Sequence, residues 1–122
     1  MSDLASGQVA QAAFRVLVVD DDPDMAGFLA RLLVQQGMQA DTAGDGAAAL
    51  AKIAAQAPDL VLMDVQMPGQ SGFDICRRLK SQESTALLPV VLVTALEDHE
   101  SRVQGIEAGA DDFFPSRCAA RN

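Results

Sequence analysis

Along this chain, apolar residues fall into short unbroken runs that end in aspartate, separated by stretches with a helical period. The first run is Phe14-Arg15-Val16-Leu17-Val18-Val19, closed by Asp20-Asp21-Asp22. An uninterrupted β-branched run of this length predicts a central parallel strand covered on both faces. Asp22-Pro23 then reads as an N-cap followed by proline at the first helical position. Met25, Phe28, Leu29, Leu32 and Leu33 recur at i, i+3, i+4, i+7 and i+8, which predicts an amphipathic helix with that stripe inward, ended by Gly37. Gln39 to Ala43 is a short, weak strand before the turn Gly44-Asp45-Gly46. Ala47 to Ala57 is an alanine-rich helix anchored by Leu50 and Ile53 and stopped by Pro58.

The pattern then repeats. Asp59-Leu60-Val61-Leu62-Met63-Asp64 is a second apolar strand whose last residue is an aspartate. Met67-Pro68-Gly69 breaks the chain, and Phe73 to Lys80 reads as a helix with Ile75, Cys76 and Leu79 inward. Val90 to Thr94 is the fourth strand, and Glu97 to Ala108 a helix that buries little beyond Val103 and Ile106. Gly109 to Phe114 turns into a short fifth strand. Strands alternating with helices predict an α/β fold, a parallel sheet with right-handed crossovers and helices on both faces. Residues 1–13 are expected to form a flexible leader, 14–117 the folded domain and 118–122 a short tail.

Composition narrows the function. The 122 residues carry 17 acidic against 9 basic side chains, a net charge of −8. Such a chain offers no electrostatic footprint for nucleic acid or an anionic membrane surface, so neither is expected as a partner of this segment. With one histidine, His99, and two cysteines, Cys76 and Cys118, zinc sites and histidine triads drop out. Residues 1–13 lack the regions of a signal peptide. The longest uncharged apolar run, Ala86 to Leu96, contains Pro89 and falls short of the ~18 residues of a membrane span. A reducing cytoplasm is the expected location.

The chemistry concentrates at strand ends. Open α/β sheets bind ligands beyond the carboxyl ends of their strands, and here strand one ends in Asp20-Asp21, strand three in Asp64 and strand four in Thr94. Carboxylates gathered in one place repel each other unless a cation neutralises them. An oxygen-only donor set favours Mg²⁺ over zinc or copper. A metal, a carboxylate nucleophile and a hydroxyl describe a phosphoryl-transfer site.

Four segments in register resemble the receiver domains of two-component response regulators. They are Val18-Val19-Asp20-Asp21-Asp22, Asp64-Val65-Gln66-Met67-Pro68 with Gly72, Val93-Thr94-Ala95, and Gly109-Ala110-Asp111-Asp112-Phe113, together spanning about residues 14–114. The resemblance implies a flavodoxin-like, doubly wound five-stranded sheet in the order 2-1-3-4-5. It implies Asp64 as phosphoacceptor and Asp20, Asp21, Asp64 and the Gln66 backbone carbonyl as holders of Mg²⁺ or Mn²⁺. Asp20 would act mainly through a metal-bound water. Thr94 would contact the phosphoryl group, and Phe113 would be the aromatic switch. The implied partner is a histidine kinase or phosphotransfer protein, and the implied role is a signalling switch with only self-catalysed phosphotransfer and dephosphorylation.

The same resemblance exposes two departures. Ser116 stands where the family carries a lysine at the end of strand five, with Arg117 beside it and Pro115 before it. After Phe114 only eight residues follow, too few for the family's fifth helix, so the final helix is expected to be missing. Either the chain is a fragment, or a second copy covers the bare face as a homodimer. Two other functions remain open: a pseudo-receiver that no longer cycles phosphate, and a haloacid-type phosphohydrolase using Asp20-Asp21-Asp22. Pro23-Asp24 breaks the continuation the hydrolase expects, and Asp64 would go unexplained. Outside the site, Asp22 is expected to cap, Met63 and Met67 to pack, Cys76 to be buried, His99 to be solvated, and Asp111 and Asp112 to shape the turn into strand five.

Overall fold

The computed structural model describes residues 13–67, 69–94 and 99–115. The expected leader, the lysine position at Ser116 and the tail with Cys118 lie outside the described residues. The elements are β1 (Arg15–Val19), α1 (Pro23–Gln35), β2 (Gln39–Ala43), α2 (Gly46–Ala55), β3 (Leu60–Asp64), α3 (Gly72–Ser81), β4 (Val90–Thr94), α4 (His99–Glu107) and β5 (Asp112–Pro115). All strand pairs are parallel, in the order β2-β1-β3-β4-β5. This is the doubly wound five-stranded sheet expected, and among the described residues it carries four helices and no fifth.

Central position explains the continuous apolar runs. Val16 to Val19 of β1 are all buried, because β1 lies between β2 and β3 with side chains alternating into two cores. Leu17, Val19, Val61, Met63, Val90 and Leu92 join residues of α2 and α3, and Ala108 just beyond α4, in the larger core. Val16 and Val18 meet only Ala26 as a fully buried neighbour, with Leu29, Leu33, Met38, Leu60 and Leu62 half-buried around them. The edge strand β2 has only Ala43 buried, which accounts for its weak sequence signal.

Two sequence expectations need correction. The α1 stripe does not all point inward: Ala26 is buried and Leu29 and Leu33 pack, but Met25, Phe28 and Leu32 stay exposed. Periodicity identifies an apolar stripe, not its partner, and this stripe is wider than the strip of sheet it covers. Likewise Ile106 of α4 is exposed, and α4 instead seats Ala108 at its carboxyl end. The capping expectation holds: Asp22 accepts from the N–H groups of Asp24 at 3.0 Å and Met25 at 3.4 Å. Gly37 closes α1 at φ +91°, a backbone setting that L side chains resist.

A polar clamp fastens the sheet at the amino-terminal end of β4. Lys80, at the end of α3, donates to the Leu88 carbonyl at 2.6 Å and the Asp111 carboxylate at 2.8 Å. The other contact of Asp111 Oδ2 is the Val90 N–H, also 2.8 Å away. Burial pushes the Asp111 carboxyl up, but the Lys80 and Val90 hydrogen bonds outweigh it and hold it below the usual range. Cys76 is fully buried, donates to the Ala108 carbonyl at 3.5 Å, and is pushed up to about 11 by burial, so it packs as a neutral thiol.

Candidate functional site

β1 and β3 are neighbours whose carboxyl ends meet, because Val19, the last residue of β1, pairs with Met63, one residue before β3 ends at Asp64. That register delivers Asp20, Asp21 and Asp64 to one edge. A carboxylate oxygen from each lies within 4.8 Å of the other two. The sequence expectation that these three carboxylates converge is therefore met in space. Asp22 caps α1, and its N–H donates to Asp20 Oδ1 at 2.9 Å.

The electrostatics of the cluster are those of a place built for positive charge. Burial, then the neighbouring Asp20 charge, push the Asp64 carboxyl up to about 6, against the pull of the Gln66 and Val65 backbone N–H groups. Burial likewise raises Asp20, opposed by the Asp22 N–H and reinforced by the charges of Asp21 and Asp22. No lysine or arginine ion-pairs with any of the three among the described residues. A hard, oxygen-only donor set with unbalanced negative charge fits a divalent cation of the magnesium type.

The remaining expected site residues are placed around this cluster. Gln66 follows Asp64 by two residues and is exposed. Thr94 ends β4, one position beyond the Asp64–Val93 pair, and its side chain lies outside what the structure describes. Phe113 sits on β5 beside Leu92 and is buried at 7% exposure, with the Arg102 guanidinium 5.4 Å from its ring centroid. The start of α3 is tied back to the end of β3: the Gly72 N–H donates to the Val65 carbonyl at 2.8 Å, and Ser71 caps α3 by accepting from the Asp74 N–H.

The seat of Phe113 was not readable from the sequence. A Cβ at Gly105 would lie 2.9 Å from Phe113 Cδ1, so the ring occupies space that only glycine leaves open on α4. Gly105→Ala is expected to force the ring or the helix outward and lower stability by about 1 kcal/mol, after the gain in helix propensity. Gly27→Ala is the control with the opposite sign. Its Cβ meets only Arg31 Nη1 at 3.7 Å, so urea melts should show a gain of roughly 0.5–1 kcal/mol. A gain for Gly105→Ala as large as for Gly27→Ala would show that the ring does not depend on that space.

Known proteins carry the same pattern. The family described as the response regulator receiver domain matches residues 16–121. Response regulator PleD of Caulobacter vibrioides is 46% identical over 100 residues, covering 82% of this chain and 22% of that protein. This chain thus spans about a fifth of that relative's length. The signal receiver domain of a signal transduction histidine kinase from Syntrophus aciditrophicus superposes with a TM-score of 0.79 at 36% identity, covering 85% of this chain and 80% of that one. Response regulator protein TrrA of Thermotoga maritima, solved in complex with Mg²⁺ and BeF, superposes with a TM-score of 0.73 at 33% identity, covering 82% and 84%.

Proposed function

The chain belongs to the response regulator receiver domain family, and from that premise we propose that it accepts a phosphoryl group on Asp64 from a partner histidine kinase or phosphotransfer protein. The observation that carries this reading is the convergence of the Asp20, Asp21 and Asp64 carboxylates within 4.8 Å. Asp20, Asp21, Asp64 and the Gln66 backbone carbonyl are the groups that would hold Mg²⁺ or Mn²⁺. When bound, the cation supplies charge neutralisation between the incoming phosphoryl oxygens and the carboxylates. The TrrA relative, solved with Mg²⁺ and a phosphoryl mimic, supports the choice of metal.

In the reaction, a carboxylate oxygen of Asp64 attacks phosphorus on a phosphohistidine. The new P–O bond forms as the P–N bond breaks, and the imidazole keeps the bonding electron pair. Asp64 is suited to this role because it is half-buried at the end of a central strand. The Gln66 and Val65 N–H groups orient its carboxylate. Thr94 then contacts the transferred group, and the Phe113 ring on β5 carries the change to the α4–β5 surface. The added charge biases that surface between two states. The domain works in the cytoplasm and catalyses only its own phosphorylation and dephosphorylation.

The test is incubation with Mg²⁺ and acetyl phosphate, followed by intact-mass measurement. One phosphoryl adduct is expected, lost in Asp64→Ala and without Mg²⁺. Absence of any adduct in the unaltered chain would sink the phosphoacceptor reading and favour a pseudo-receiver, with Ser116 in the lysine position as the reason. Steady turnover abolished by Asp20→Ala alone would instead point to a hydrolase.

A further inference from the structure

The Phe113 ring is seated against α4 and β4, and a cation lies over it. Phe113 pairs with Leu92 across β5 and β4. Its Cδ1–Cε1 edge fills the space that Gly105 leaves on α4, where a Cβ would also come within 3.6 Å of Leu92 Cδ1. Arg102 lies about one helical turn before Gly105, so the two residues share the α4 face that meets the ring. The Arg102 guanidinium stands over that ring, 5.4 Å from its centroid. Phe113 is buried while Arg102 is exposed, so the cation covers the ring from the solvent side. Among the described residues Arg102 forms no ion pair, although α4 also carries Glu100 and Glu107. An aromatic face attracts a cation through its quadrupole, and the attraction lasts only while the ring lies beneath the charge.

We propose that Arg102 is a positioning residue for the switch: its guanidinium holds the Phe113 ring in the Gly105 seat before any phosphoryl group arrives. The inference rests on the reading above, in which Phe113 carries the change at Asp64 to the α4–β5 surface. A ring that moves between a seated and a released setting is a two-state element. A contact made in one setting only biases the balance toward that setting by its own strength. For a cation at the surface that bias is about two- to fivefold. Carrying such a balance from one end to the other takes about 10⁴-fold, so Arg102 primes the unphosphorylated chain without completing the switch. Arg102 and the acidic edge therefore act on one equilibrium from two places, the first by charge over the ring and the second through the group on Asp64.

Fluorine NMR on the 122-residue chain, with 4-fluorophenylalanine at position 113, reads the ring directly. Its signal reports the populations of buried and solvated ring. Arg102→Met keeps a long side chain without the charge, and should lower the seated-to-released ratio about two- to fivefold. Arg102→Lys keeps a cation and should retain much of the original ratio. Both variants exchange an exposed side chain, and circular dichroism checks that each keeps its fold. Mg²⁺ with beryllofluoride should then seat the ring in Arg102→Met as well and erase the difference. An Arg102→Met ring as fully seated as the original would overturn the proposal, as would an Arg102→Lys ring as released as that of Arg102→Met. So would an Arg102→Met ring that stays released while a raised melting temperature shows the mimic bound. If the mimic raises the melting temperature of no chain, the phosphoacceptor reading fails, and the ratios without metal still decide the role of Arg102.

Discussion

Gly72→Ala is expected to lower stability by roughly 3 kcal/mol, at the severe end of overpacking, and to depress phosphoryl acceptance at Asp64 with it. A Cβ at Gly72 would collide with the Asp64 carbonyl oxygen and stand 2.9 Å from Val65 Cα. Both obstacles are backbone of the strand end that holds Asp64, so neither can swing aside as a flexible side chain would. The Gly72 N–H donates to the Val65 carbonyl, so α3 cannot retreat without giving up that bond. Relief must come from moving α3 or the carboxyl end of β3, and the second displaces Asp64 from Asp20 and Asp21. Urea unfolding and the rate of the acetyl phosphate reaction would report the two losses together. A stable Gly72→Ala protein with unchanged reactivity would mean that the β3–α3 loop is slack.

Asp64→Asn is expected to act in the opposite direction, stabilising the metal-free fold by about 1–2 kcal/mol at neutral pH. The sign follows from linkage. The Asp64 carboxyl titrates at about 6 in the folded chain against an ordinary value of 3.8, so the folded state binds its proton more tightly than the unfolded state. As pH rises from below 4 through 6, ionisation in a crowded anionic site costs stability, and the full penalty is present above 6. That rise of the Asp64 carboxyl corresponds to roughly 3 kcal/mol before solvent screening of this half-buried group reduces it. Asparagine carries no charge at any of these pH values, so its advantage should fade toward pH 4. Millimolar Mg²⁺ should raise the melting temperature of the unaltered chain and do much less for Asp64→Asn. Thermal melts at pH 4 and pH 7, with and without Mg²⁺, check all four corners. An Asp64→Asn chain less stable than the original at pH 7 would contradict the repulsion described here.

The sheet and its acidic edge were legible because central parallel strands must be apolar on both faces. Val16 to Val19 and Leu60 to Met63 therefore announce themselves without reference to any partner. Their terminal aspartates follow directly, and the chain-order motif places them on the same edge. Helix faces were less readable. The α1 pattern identified Met25, Phe28 and Leu32 as apolar, but which of them the sheet covers depends on the width of a contact formed with strands far along the chain. Asp111 read as a turn residue, since nothing local links it to Lys80, 31 positions earlier. The space that Gly105 leaves for Phe113 was equally hidden, because its cause is a steric fit between a helix and a strand. Sequence pattern shows what each element must bury; pairings between side chains appear only once the elements are packed.

The Lys80–Asp111 clamp ties three elements together at one corner of the sheet. It joins the end of α3, the turn before β4 and the start of β5 through bonds to Leu88, Asp111 and Val90. A single lysine therefore serves as a shared rivet, and Lys80→Met would unfasten all three elements at once, whereas the loss of an ordinary surface ion pair frees only two side chains.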